Sequence, residues 1–315
     1  MKFSEYRILP EIKQSLEELG FKRPTDIQFK AIPNILNGED VLAIAQTGTG
    51  KTAAFAIPII HQIVSYGVNR GVQAIVMVPT HELAIQITEV FDKLAKHTNL
   101  TTLALFGGVD QDPQIDALHR GVDVVIATPG RMFDLASQKH LILTDIQTLV
   151  LDEADLMLDL GFYNDIKDLI KYLPRNRQTL FFSATINEKI KNLAYSLVRS
   201  HAIRIQISPK DPVSKNVTHS VMFVSMDDKR FFLERIVNEN PEKKILVFVR
   251  TKVRAERVFE AMKRVNINGV TMHGGKDQDN RLEVMQQFKK GDVKLLIATD
   301  ISARGVDIEI GRAHV

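Results

Sequence analysis

Short runs of continuous apolar residues, rich in β-branched types, alternate along this chain with longer segments of helical period. No other feature of the sequence constrains the fold as strongly. Residues 41–45, 74–78, 101–106, 122–127, 148–151, 179–182 and 203–207 have the composition of strands. Between them lie amphipathic stretches, in one of which Leu83, Ile87, Val90 and Leu94 recur at helical spacing. A strand that is apolar on both sides needs cover on both faces, and a parallel sheet between layers of helices supplies it. The pattern pauses at residues 208–218, where Pro209 and Pro212 with polar neighbours disfavour helix and read as a linker. It then resumes with strand-like residues 219–224, 245–249, 270–272 and 295–298. The expected fold is α/β, with one domain over residues 1–207 and a second over 219–308.

Composition narrows the classes of function. The 315 residues are 44% apolar and 25% charged, as in soluble globular chains. The longest apolar runs, such as Val41 to Ala45, are five residues long, against the roughly 20 that a membrane-spanning helix needs. The first residues have no apolar stretch of signal-peptide length, so no membrane association and a cytoplasmic location are expected. With no cysteine, disulfide scaffolds, thiolate metal sites and cysteine nucleophiles are excluded. The nine histidines include no pair four apart, so a zinc enzyme is not expected. A net charge of +3 is compatible with nucleic acid but does not argue for it.

The segment Ala45-Gln46-Thr47-Gly48-Thr49-Gly50-Lys51-Thr52 follows a strand and opens a helix. Glycines let backbone N–H groups wrap a phosphate chain at a helix N-terminus. Lys51 would reach the β- and γ-phosphates of a nucleotide, and the Thr52 hydroxyl would hold Mg²⁺. The strict pattern has glycine where this chain has Ala45, and the bland alternative is a glycine-rich turn. Pro58, inside the next helix, is expected to kink it. A hundred residues on, the strand 149–151 runs into Asp152-Glu153-Ala154-Asp155. Alone, these acids would suit a solvated helix start. Paired with the glycine-rich loop, Asp152 is expected to hold Mg²⁺, and Glu153 to orient or deprotonate the water that attacks the γ-phosphate.

These residues in this order resemble the DEAD-box family of ATP-dependent RNA helicases, within superfamily 2, and the likeness runs from Phe3 to Ile308. Residues 152–162 look like the bacterial RhlE-like branch. The resemblance implies two tandem RecA-like P-loop domains that use ATP and Mg²⁺ and bind RNA, mostly through its sugar–phosphate backbone, with ribonucleoprotein partners. Residues 20–28 resemble the family's Q motif, with Phe3 as the isolated aromatic before it. A glutamine amide can donate and accept in parallel, so Gln28 suits the N6 and N7 edge of adenine. Phe3 or Phe21 could pack against the base, although ordinary core packing is the expectation for Phe21.

The remaining roles are implied by the resemblance. Pro79, Thr80, Gly107, Gly108, Thr128 and Arg131 match RNA-facing motifs of the first domain. His81 departs from the family's usual arginine, and a neutral imidazole has one donor where guanidinium has five. Ser183 and Thr185 match the motif that couples hydrolysis to strand separation, their hydroxyls bonding to Asp155. Helix capping is the alternative for them. In the second domain, Arg281 and Thr299 are expected to face RNA, and Gly305 and Asp307 to approach ATP. The function implied is local unwinding or remodelling of RNA duplexes by ATP hydrolysis. The alternatives are an ATP-dependent RNA clamp without turnover, a P-loop ATPase with no nucleic acid, and a DNA helicase.

The family continues past this point to an arginine-rich motif that supplies arginine fingers to the γ-phosphate. Here Glu309 to Val315 matches nothing in that pattern. Reverse translation of Ile310 to Val315 also gives a common sequencing-library adapter. Residues 309–315 are therefore expected to be a non-native tail, the second domain incomplete, and the chain able to bind ATP but deficient in hydrolysis and unwinding.

Overall fold

The computed structural model describes residues 2–67, 71–207, 218 and 220–299. The expected linker, apart from Thr218, lies outside these residues, as do Gly305, Asp307 and the expected tail. The chain divides into two compact units, Met1–Pro212 and Val213–Val315.

In the first unit a single 3-10 turn, Phe3–Glu5, precedes α1 (Pro10–Glu18), α2 (Asp26–Leu36), β1 (Val41–Ile44) and α3 (Lys51–Tyr66). Then come β2 (Ala74–Met77), α4 (His81–Ala95), β3 (Thr102–Leu105), α5 (Asp112–Arg120), β4 (Val124–Ala127) and α6 (Pro129–Ser137). The unit closes with β5 (Thr148–Leu151), α7 (Ala154–Asp159), α8 (Tyr163–Tyr172), β6 (Gln178–Ser183), α9 (Glu188–Leu197) and β7 (Ile203–Gln206). Helix α3 runs through Pro58 from end to end.

The seven strands form one parallel sheet in the order β3-β4-β2-β5-β6-β1-β7. Side chains alternate between two cores. Leu180 and Phe182 pack to one side with Phe55 and Phe91, while Phe181 packs to the other with Leu149 and Leu169. This is why the strands read as unbroken apolar runs: each face has its own helical cover.

The second unit contains α10 (Lys229–Glu239), β8 (Ile245–Val249), α11 (Lys252–Arg264), β9 (Val270–Met272), α12 (Gln278–Lys290) and β10 (Leu295–Thr299). Its three strands are parallel, in the order β8-β10-β9. The strand expected over residues 219–224 does not form in the described residues 220–224, where Val221 and Phe223 are exposed. Apolar alternation alone does not make a strand. A ladder needs a neighbour, and no described strand of this unit pairs with that segment.

Candidate active site

Parallel strands send all their carboxyl ends to one edge of the sheet, where open α/β sheets bind ligands. The strand order sorts that edge. The loops after β1, β5 and β6 are neighbours on one half, and those after β2, β4 and β3 on the other.

On the first half, Gly50 has a left-handed backbone (φ 92°, ψ 25°) and leads into Lys51, the first residue of α3. A β-carbon at Gly50 would lie 2.4 Å from Gln28 Nε2, so this position needs glycine for space as well as conformation. Lys51 is buried, and its Nζ lies 2.7 Å from Oε1 of Glu153 at the end of β5. Glu153 reaches it from a left-handed backbone (φ 52°, ψ 46°), a conformation that costs a non-glycine residue about 1–3 kcal/mol. The turn from β5 into α7 is thus held against its own preference so that a part-buried carboxylate meets a buried ammonium. Gln46, Thr47 and Gly48 form the exposed outer part of the loop, closed by the Thr49 hydroxyl donating to Gln46 O at 2.7 Å.

Asp152 is 3% exposed and, among the described residues, accepts one hydrogen bond, from the Glu153 N–H at 3.0 Å. Burial pushes its carboxyl up to about 7; Glu153 and Asp155 add to the rise, and Lys51 opposes it. A buried carboxylate with so few donors, near Lys51, whose neighbour in the chain is the partly exposed Thr52, fits a hard divalent cation with oxygen ligands. Among the described residues no group of three or more His, Asp or Glu could hold a metal. Mg²⁺ needs no such cage, because substrate phosphates and water complete its shell.

Asp155 accepts from the Thr185 hydroxyl at 3.0 Å, from Thr185 N–H at 3.1 Å and from Ala184 N–H at 3.4 Å. The expected link between these segments is therefore made by Thr185. Ser183 departs from it, because its hydroxyl donates to Thr185 O at 2.8 Å. Neither residue caps α9; Asn187 does, accepting from Ile190 N–H.

Gln28 is buried and already engaged at both ends of its amide. Its oxygen accepts from Thr25 N–H at 2.9 Å, and its nitrogen donates to Gly50 O at 3.1 Å. It couples α2 to the glycine-rich loop, with one N–H and one lone pair still unused. Core packing, expected for Phe21, belongs instead to Phe3. Phe3 is 3% exposed and Phe21 37%, with their rings 6.0 Å apart beside a pocket of about 530 Å³. A two-residue aromatic pattern does not say which ring the 3-10 turn will cover.

The other half of the edge carries Pro79, Thr80, Gly107, Gly108, Thr128 and Arg131. Thr80 caps α4 through Leu83 N–H, and the Thr128 hydroxyl donates to Leu105 O at 3.5 Å. Both threonines are buried, while Gly108 is exposed. Arg131 donates through Nη2 to Val109 O at 2.8 Å, tying α6 to the loop after β3, and its Nη1 is buried without a hydrogen-bond partner among the described residues. His81 stacks on Phe106, with ring centroids 5.4 Å apart.

In the second unit Thr299 ends β10, and Arg281 lies in the first turns of α12, its Nη1 donating to Gln278 Oε1 at 3.2 Å. Sequence reasoning missed Glu256 on α11, which accepts from Thr271 and His273 and pairs with Lys276. A lone glutamate on a charged helix gives no signal in sequence, since a solvated surface is its usual place.

Residues 25–193 match the DEAD/DEAH box helicase family, and residues 228–313 match the helicase conserved C-terminal domain. The chain is 38% identical over 313 residues to the DEAD-box ATP-dependent RNA helicase RhpA of Helicobacter pylori, covering 99% of this chain and 63% of that protein. It is 39% identical over 307 residues to the ATP-dependent rRNA helicase RRP3 of Meyerozyma guilliermondii, covering 97% and 64%. The chain thus spans less than two thirds of the length of these relatives. Among solved structures, S. cerevisiae Dbp5 bound to RNA and ADP BeF3 is similar at a TM-score of 0.85 and 28% identity, covering 98% of this chain and 78% of that one. A DEAD box protein from Methanococcus jannaschii has a TM-score of 0.63 and 34% identity, covering 98% and 82%.

Proposed function

The chain belongs to the DEAD/DEAH box helicase family, and from that premise we propose that it binds ATP and RNA and uses ATP hydrolysis to unwind or remodel RNA duplexes locally; none of the matches supports the deficiency in hydrolysis expected above. The observation that carries the reading is the 2.7 Å pair between buried Lys51 and part-buried Glu153, with Asp152 next to it in the chain, made between the loops after β1 and β5.

Each charge has work to do once a nucleotide arrives. The γ-phosphate is a stronger partner for Lys51 than one carboxylate, so the lysine turns to the phosphates and Glu153 is released. Freed, Glu153 is a base close to the phosphate chain, placed to orient and deprotonate the attacking water. Thr52 and Asp152 would hold Mg²⁺, whose charge offsets that of the phosphates. Gln28 reads adenine with its remaining N–H and lone pair, and Phe21 offers the exposed ring beside it. Asp155 and Thr185 carry the nucleotide state from the end of β5 to the end of β6.

RNA binds along the other half of the sheet edge, by way of Pro79, Thr80, Gly107, Gly108, Thr128 and Arg131, and on the second unit at Arg281 and Thr299. Contacts to phosphate and sugar position the strand and read little sequence.

The test is hydrolysis of Mg-ATP by the chain with and without single-stranded RNA, and with DNA of the same sequence. Stimulation by RNA alone supports the proposal. Hydrolysis indifferent to RNA would point to an ATPase that acts without nucleic acid, and equal stimulation by DNA would remove RNA as the substrate. RNA held under ATP without turnover would favour the clamp.

A further inference from the structure

Strand β9 ends in a segment that turns sharply into α12, and a carboxylate from a different helix fixes that turn. Gly275 N–H donates to His273 Nδ1 at 3.1 Å. Because Nδ1 accepts, the ring carries its proton on Nε2, which donates to Glu256 Oε1 at 2.8 Å. The same carboxylate accepts from the Thr271 hydroxyl at 3.0 Å and meets Lys276 Nζ at 3.1 Å. Burial alone would raise the Glu256 carboxyl. The hydrogen bonds from His273, Lys276 and Thr271 outweigh burial and hold it below the usual range.

The loop is built to admit this arrangement. A β-carbon on Gly275 would lie 3.1 Å from His273 Nδ1 and 3.2 Å from Cε1, so a side chain there would push the backbone off the ring. His273 is 6% exposed and cannot swing out to water without leaving the fold. Two residues on, Asp277 caps α12 by accepting from Asn280 N–H at 2.8 Å, and the next turn carries Gln278 and Arg281. The chain of contacts therefore runs from Glu256, through His273 and Lys276, to the start of α12.

We infer that Glu256 is a positioning residue for RNA binding: it fixes the His273 tautomer and the 273–277 loop, and so sets where α12 presents Arg281. The inference rests on the reading that Arg281 contacts RNA. Geometry and charge make opposite predictions for removal of Glu256. If it positions the loop, removal weakens RNA binding. If its charge merely offsets Lys276 near a polyanion, removal strengthens it.

The experiment uses the full chain, a fluorescent oligouridylate, and ADP with beryllium fluoride and Mg²⁺. Wild type, Glu256→Gln and Glu256→Ala are compared. Three quantities are read: RNA affinity, nucleotide affinity without RNA, and the imidazole ¹⁵N shifts of His273. Wild type is expected to show the Nε2–H tautomer. Glu256→Ala loses that signature and about tenfold in RNA affinity, the order seen when a partner that orients a binding side chain is removed. Nucleotide affinity stays constant. Glu256→Gln keeps an acceptor for His273 and is expected to retain the tautomer and part of the affinity, and it remains the test if the alanine variant does not fold. Unchanged or tighter RNA binding by the folded variants overturns the positioning role alone. No RNA binding by wild type overturns the functional proposal, and this inference with it.

Discussion

Two aspartates are buried at opposite edges of the seven-stranded sheet, and their surroundings differ in kind. Asp40 lies just before β1, at the amino edge, and is 1% exposed. Its carboxylate accepts from Thr179 N–H, Arg199 N–H and Arg199 Nη2, at 2.9, 2.7 and 2.7 Å. Asp152 lies just after β5, at the carboxyl edge, with one hydrogen bond from its own neighbour and two further acids nearby. A buried carboxylate surrounded by donors is satisfied by the protein itself, and one left short of donors is a candidate for a partner that is not protein. One sheet buries the same residue type at both edges, and the number of donors tells them apart where burial does not.

The comparison is put under most strain by variants at the carboxyl edge. Glu153→Gln should lower ATP turnover about 10³-fold, near 4 kcal/mol, by removing the base while leaving the backbone in place. The amide oxygen can still accept from Lys51 and the repulsion of Asp152 is relieved, so the thermal midpoint should fall less than in the Asp40→Ala variant. Steady-state hydrolysis and a melting curve on one preparation check both halves, and a variant that unfolds would show the acid edge to be structural after all.

At the amino edge the expectation reverses. Asp40→Ala leaves two backbone N–H groups without their acceptor and Arg199 with only Gly38 O for its Nη2, and should cost about 3 kcal/mol in stability. Urea unfolding measures it. Turnover per folded molecule should hold at low temperature, and a loss of turnover without a loss of stability would break the contrast.

The third expectation concerns pH. The Asp152 carboxyl sits at about 7 in the folded protein, against 3.8 ordinarily. Between those values the folded protein keeps a proton that the unfolded chain gives up. Its contribution to stability is therefore full below about pH 4 and is lost as the pH rises through about 7. The slope is at most one proton, about 1.4 kcal/mol per pH unit. Asp152→Asn, without nucleotide or Mg²⁺, should flatten this component in unfolding curves from pH 5 to pH 8. An unchanged slope would mean that the charge is better solvated than its burial implies.

Much of this was legible in the sequence, for physical reasons. Continuous apolar runs such as 74–78 marked buried parallel strands, because two-faced burial leaves no polar alternation. The glycine-rich loop and the acids after β5 were visible as restricted residue types at fixed spacing, and the structure brings Lys51 of the one and Glu153 of the other together. Partners far apart in the chain were not visible. Nothing near Asp40 announces Arg199, 159 positions away, and nothing near Glu256 announces His273. The segment 219–224 misled because a strand is a property of a pair, and only one member was in view. Phe21, expected in the core, is exposed and Phe3 is covered instead, because coverage of an aromatic ring depends on tertiary packing.

The smallest expected effect separates position from pairing. Asn187 follows β6 at the same edge as Asp152, yet its side chain accepts from Ile190 N–H at 3.0 Å and caps α9. If the edge itself made residues functional, Asn187→Ala would impair hydrolysis. If the cap is all that Asn187 supplies, the variant should lose only that, about 1 kcal/mol. In a unit of this size that is a shift of about 2–4 °C in the thermal midpoint. ATP turnover and its stimulation by RNA should be unchanged within error. A fall in turnover larger than the fall in stability would show that the cap also steadies Ser183 to Thr185, and would move the boundary between the two regions from a question of donors to one of distance from the phosphate.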